Sequence, residues 1–141
     1  DCGITNSLPK RKELSSSFIY EFIRKFGGPK KLYSQLFIIS VCPLGFIKDG
    51  KNLNFYDDKM LLTSVDDFVR SSFHAHCEMN FSREKIIIIG KENTRHFERL
   101  NKSADHFKEV ITLEHPRFIL QYRRKQKNEY LKKWMNLMST M

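Results

Sequence analysis

The chain has 141 residues and carries 25 Lys and Arg against 16 Asp and Glu, a formal charge of +9. Hydrophobic residues make up 40% and Phe fills 12 positions, which is enough for a sizeable core and excludes full disorder. The longest apolar runs are four residues, far short of the ~20 that a membrane helix needs, and the opening does not read as a signal peptide.

The basic excess makes nucleic acid or another polyanion the leading partner class, weighed against a merely soluble basic protein. Cys2, Cys42 and Cys77 are odd in number and widely spaced, with no CxxC pair. Reduced, partly buried thiols of a cytosolic protein are expected rather than a disulfide scaffold.

The opening, residues 1–14, reads as irregular and basic, with Lys10-Arg11-Lys12 after Pro9. Ser15 and Ser16 are good N-caps, and Phe18, Ile19, Phe22, Ile23 and Phe26 recur at helical spacing, so a helix is predicted from about Ser16 to Phe26. Gly27-Gly28 ends it and Pro29 can start a short second helix. Leu36 to Val41 is β-branched and almost continuously apolar, which predicts a strand buried on both faces. Cys42-Pro43-Leu44-Gly45 stops it, and a polar loop through Asp49-Gly50 and Asn52 follows.

Asp57 or Asp58 caps a long helical stretch whose apolar face runs from Leu61 to His76, with an interruption between Ser64 and Asp67. Lys85 to Ile89 is the clearest strand, closed by Gly90. A helix opens at Asn93 or Thr94 and turns Phe97, Leu100 and Ala104 inward. Glu109 to Leu113 is the third strand. The last helix is expected from Lys125 to Met138, burying Tyr130, Leu131, Trp134, Met135 and Met138. Alternating helices and strands at this spacing predict an α/β fold with a parallel sheet.

Open parallel sheets bind ligands beyond the carboxyl ends of their strands. Ser40 to Gly45, Gly90 to Asn93 and Glu114 to Arg117 fall there. His115, followed by Pro116 and then by Arg117, Gln121, Tyr122, Arg123, Arg124 and Lys125, puts an ionisable ring at the base of a basic, aromatic loop. It reads either as a site residue beside a phosphate-tracking surface or as a capping histidine before a solvated helix. His74-x-His76-Cys77 resembles a metal motif, but residues two apart on a helix face different ways, so helix-surface side chains are expected. Gly90 before a helix could bind an anion or simply make a tight turn. Cys42 before Pro43 reads as a buried thiol, since nothing nearby activates it.

Three blocks together resemble the uracil-DNA glycosylase superfamily, and within it the single-strand-selective monofunctional branch and its bacterial relatives. They are Cys2-Gly3 through Lys12-Glu13-Leu14-Ser15-Ser16; Phe37 to Phe46 followed by Gly50-Lys51-Asn52-Leu53; and Leu113-Glu114-His115-Pro116-Arg117-Phe118 leading to Gln121-Tyr122-Arg123-Arg124-Lys125. The second block is the most specific, because an apolar strand, Cys-Pro-Leu and a later Gly-x-Asn-Leu rarely coincide.

The resemblance implies a three-layer αβα sandwich with a parallel central sheet. It implies hydrolysis of the bond between a damaged base and deoxyribose, on a base flipped from the duplex or taken from single-stranded DNA. His115 matches the histidine that donates a hydrogen bond to the base oxygen where charge develops. The base pocket falls on Ser40, Cys42 and Pro43. Ser40 stands where the related branch has a base-reading asparagine, and serine has a shorter reach and a single hydroxyl. DNA contacts fall on Arg117, Phe118, Gln121, Tyr122, Arg123, Arg124 and Lys125, with Arg117, Phe118 and Tyr122 as candidates to fill the gap left by the flipped base. No metal, organic cofactor or membrane is implied, and the expected location is the bacterial cytoplasm.

The family's first motif, a Gly-x-Asn-Pro-Gly loop that positions the attacking water, has no counterpart here. Residues 1–141 are therefore expected to be one N-terminally incomplete domain, the C-terminal part of the fold, and inactive alone. A DNA-binding member of the fold that has lost catalysis is the alternative.

Overall fold

The computed structural model describes residues 14–102 and 106–140. Lys10, Arg11, Lys12, the first resembling block up to Glu13, and Ala104 lie outside the described residues. The chain divides into two compact units, residues 1–34 with 115–141 and residues 35–114.

The first unit is helical. Helix α1 spans Leu14–Phe26 and α2 spans Pro29–Gln35. Phe18, Phe22 and Phe26, each four residues from the next, are buried along one side of α1. After His115 the chain forms α6, Pro116–Tyr122, then a 3₁₀ turn over Arg124–Gln126, then α7, Lys127–Met138. Trp134 of α7 meets Phe18 and Phe22 edge-on at 5.1 and 5.6 Å between ring centroids, the geometry that aromatic quadrupoles favour. Leu32, Ile119, Leu131 and Met138 complete the buried set. Lys127 Nζ donates to Glu21 Oε2 at 2.8 Å, tying α7 to α1.

The sequence reading corresponds to α1, α2 and the stripe of α7, with Tyr130 and Met135 only half-buried. Of the two readings after His115, a basic loop and a helix behind a capping histidine, the helix forms, and Pro116 sits at its first position, where its missing N–H costs nothing.

The second unit is mixed. Strands β1, Phe46–Lys48, and β2, Lys51–Leu53, form an antiparallel hairpin. Helices α3, Lys59–Ser64, and α4, Asp66–Cys77, break at Val65. Strand β3, Lys85–Ile89, pairs in parallel with β4, Glu109–Leu113, in a register running from Lys85↔Glu109 to Ile89↔Leu113, with α5, Lys91–Asn101, as the crossover. Val69, Phe73, Cys77, Ile88, Phe97, Leu100 and Phe107 belong to one core. Asp58 caps α3 by accepting from the Met60 and Leu61 N–H groups at 2.9 and 3.2 Å, as its place before the apolar run predicts. Asp66 accepts from Arg70 at 2.7 Å and pairs with Arg99 of α5 at 2.5 Å. These guanidiniums hold its carboxyl below the ordinary carboxylate range.

Two expectations are corrected. Residues 36–41 form no strand among the described residues, and Phe37 and Ile38 are more than half exposed. Apolar, β-branched composition fits a pleated surface, but a strand exists only where a neighbouring backbone accepts its hydrogen bonds. Phe37 instead stacks on Phe81, 5.7 Å between centroids. Conversely, the polar loop through Asp49-Gly50 is the turn of the β1–β2 hairpin. Asp49 and Gly50 have φ of 51° and 71°, the paired positive values of a type I′ turn.

The fold class is α/β with a parallel strand pair, as expected. Among the described residues no helix is long and apolar enough to cross a membrane.

Candidate functional site

His115 lies two residues beyond the end of β4 and is the N-cap of α6, with φ −66° and ψ 136°. Its Nδ1 accepts a hydrogen bond from the Arg117 N–H at 3.1 Å, and its carbonyl accepts from the Ile119 N–H at 3.1 Å. A neutral imidazole whose Nδ1 is an acceptor carries its proton on Nε2. The cap therefore sets the tautomer as well as the helix start. Pro116 beside it is buried and restricts the backbone on both sides. The two sequence readings of His115, cap and site residue, are thus compatible, because the cap uses Nδ1 and a donor role would use Nε2.

Along the exposed side of α6, Phe118 and Tyr122 stand four residues apart with ring centroids at 5.5 Å. The Arg123 guanidinium lies 6.0 Å from the Phe118 ring centroid, within cation–π range. Arg117, Gln121, Arg124 and Lys125 are exposed on the same short stretch. Exposed rings beside exposed cations suit bases and phosphates in alternation.

In the second unit, Ser40 and Pro43 are exposed and Cys42 is half-buried against the core. The Cys42 reading as a partly buried thiol agrees with that packing. Gly90, φ 98°, is the N-cap of α5, and its N–H donates to the Leu113 carbonyl at 2.8 Å. That N–H is committed to a backbone partner, in keeping with the tight-turn reading. Asn93 Nδ2 donates to the Ile89 carbonyl at 2.8 Å, and the Thr94 and Thr112 hydroxyls bond each other at 2.9 Å. His74 is exposed with its ring 5.7 Å from His106, whereas His76 faces Phe37 at 6.5 Å. The two histidines diverge as helix geometry requires. Among the described residues no group of three His, Cys, Asp or Glu side chains could hold a metal.

Sequence reasoning missed two features. His96 stacks on Tyr56 at 5.2 Å and lies 4.9 Å from Phe55. Burial lowers the imidazole pKa and, with Asp57 and Glu92, raises that of Tyr56. Arg24 of α1 lines one groove with Arg124 and Lys127, a grouping of residues some hundred positions apart that no local pattern announces.

The family model of the Uracil DNA glycosylase superfamily matches residues 3–138. The crystal structure of wild-type Pedobacter heparinus SMUG2 is similar, with a TM-score of 0.87 and 34% identity over 99% of this chain and 62% of that one. This chain thus spans about three fifths of the length of that structure. No match is found among curated proteins.

Proposed function

The chain belongs to the uracil DNA glycosylase superfamily, and from that premise we propose that it serves as a monofunctional DNA base-excision glycosylase acting on uracil or a related damaged base. The substrate is a base in single-stranded DNA or one flipped from a duplex, which places the protein's work in the bacterial cytoplasm, where its DNA substrate lies.

In the reaction, the bond between the base nitrogen and the deoxyribose C1′ breaks and its electron pair leaves with the base. C1′ becomes cation-like and takes a water oxygen, while the water proton passes to solvent or the departing base. Negative charge grows on the base carbonyl oxygen. His115 Nε2–H donates to that oxygen, and a held donor costs no reorganisation as the charge develops. The single observation that carries this assignment is the 3.1 Å bond from the Arg117 N–H to His115 Nδ1, which fixes ring and tautomer together. No lysine nucleophile and no metal enter the scheme.

Ser40, Cys42 and Pro43 are the proposed base-reading segment. A serine hydroxyl can donate or accept one bond at a time, unlike the paired donor and acceptor of an amide. The expected consequence is weaker discrimination of uracil from other deaminated bases. Phe118, Tyr122, Arg123 and Arg124 hold the strand, the rings by stacking and the guanidiniums through phosphates.

The test is abasic-site formation by the full-length protein on oligonucleotides carrying uracil, xanthine or hypoxanthine. Excision of at least one of them supports the proposal. Binding with no excision of any base would reduce the protein to a DNA-binding member of the fold.

A further inference from the structure

Charge is distributed unequally between the two units. Residues 14–34 and 115–140 hold eleven Lys and Arg but only Glu21 and Glu129 as carboxylates, whereas residues 35–114 hold eleven Lys and Arg against twelve Asp and Glu. In the second unit six of the eleven cations are paired: Lys48 with Asp58, Arg70 and Arg99 with Asp66, Lys85 with Glu109, Arg95 with Glu92 and Lys108 with Glu84. In the first, among the described residues, Lys127 takes Glu21, while Arg24 and Arg124 have no ion-pair partner. These two guanidiniums line a single groove of about 630 Å³ together with Ser17, Tyr20, Glu21 and Lys127. Tyr20 is 61% exposed beside them.

We propose that this groove, framed by α1, α6 and α7, is a backbone-binding site for single-stranded DNA, with Arg24 and Arg124 gripping phosphodiester oxygens and Tyr20 offering a stacking face. The proposal rests on the DNA reading above and extends it to Tyr20 and Arg24 of α1, which no motif implicates. The groove's carboxylate, Glu21, is taken by Lys127, so the two guanidiniums leave it a net positive charge, and a guanidinium presents its N–H groups in the forked geometry that phosphate oxygens accept. Helix α6, seven residues long, rises roughly 10 Å from His115 toward Arg124, so a strand leaving the base site along it is led to the groove. Affinity is then supplied by the cationic helical unit without regard to sequence. The opposing explanation is that Arg24 only complements the C-terminal end of α1. That accounts for its place on the helix but not for Arg124 facing the same groove.

The experiment measures single-strand affinity of the full-length protein against salt concentration for wild type, Arg24→Gln, Arg24→Gln with Arg124→Gln, and Arg95→Gln as a control. A lost contact to a single strand removes about 0.7 from the log–log salt slope. At 0.1 M salt this corresponds to about a fivefold loss of affinity for Arg24→Gln and about 25-fold for the pair. The loss should be equal for damaged and undamaged sequences, absent for a trinucleotide and recovered in Arg24→Lys, with Arg95→Gln unchanged. An unaltered slope in Arg24→Gln with a wild-type slope that is clearly salt-dependent overturns the groove and leaves the DNA reading standing. Wild-type protein that binds no DNA overturns both.

Discussion

A side chain that caps a helix and serves chemistry at once must keep the two roles on different atoms, and the role proposed for His115 meets that condition. Nδ1 accepts from the Arg117 N–H, and the proposed donor is Nε2–H. An asparagine at this position can accept the same backbone bond through its amide oxygen, since Asn ranks among the best N-caps. His115→Asn should therefore melt close to wild type, while His115→Ala loses the cap and about 0.5–2 kcal/mol, both read from denaturant midpoints. A second residue-scale consequence concerns His96. Its imidazole is wedged against Tyr56 and Phe55, and burial holds its pKa below the ordinary 6.5. A base whose pKa is lower folded than unfolded binds more protons when unfolded, so stability is complete above pH 6.5 and falls as pH drops through the folded value. Denaturant midpoints between neutral and mildly acid pH should decline in wild type and stay flatter in His96→Gln. An equal decline in both would remove His96 as a source of acid sensitivity.

Local signals and their limits are clearest among the elements. Helix α1, strands β3 and β4 and the buried stripe of α7 were legible because each has a strong period of its own and a partner within the chain. Gly90 illustrates how one residue can specify a junction. Its φ of 98° and ψ of 136° lie where side chains are not tolerated, and Gly90→Ala should cost about 1–3 kcal/mol in unfolding free energy. The β1–β2 hairpin was readable from Asp49-Gly50 but was masked by the poor alternation of its flanks, Ile47-Lys48 and Lys51-Asn52. The run from Leu36 to Val41 misled in the opposite direction. Its composition suits a strand, yet strand formation depends on a backbone neighbour that composition does not encode. Exposed Phe37, Ile38 and Ile47 on or beside this unpaired stretch make it adhesive. This chain should self-associate as its concentration rises, and Ile38→Lys should reduce light scattering without lowering the melting temperature. Equal scattering by both would place the adhesive surface elsewhere. At the candidate site, the sequence left a loop and a helix behind His115 as alternatives, because a seven-residue helix offers barely two turns in which to show a period.

For the whole molecule, net charge pointed to a polyanion, but the sequence order hides the separation of a cationic helical unit from a balanced mixed one, since the former is assembled from both ends of the chain. With Arg117, Arg123, Arg124 and Lys125 exposed, neutralising ~3–4 phosphates gives a salt slope of roughly −2 to −3 for single-stranded DNA. Arg123→Glu with Arg124→Glu should weaken binding to every sequence alike, and a variant that discriminates among sequences would contradict a backbone role. The central claim is that a rigidly held His115 N–H stabilises a departing base. It is tested most directly by single-turnover uracil release from a single-stranded oligonucleotide, with the full-length enzyme saturating, for wild type and His115→Asn. Loss of a donor to a developing oxyanion predicts a chemical step slowed ~10²–10³-fold, with DNA affinity and melting temperature near those of wild type. Equal rates in the two proteins would contradict the claim and leave His115 as a helix cap.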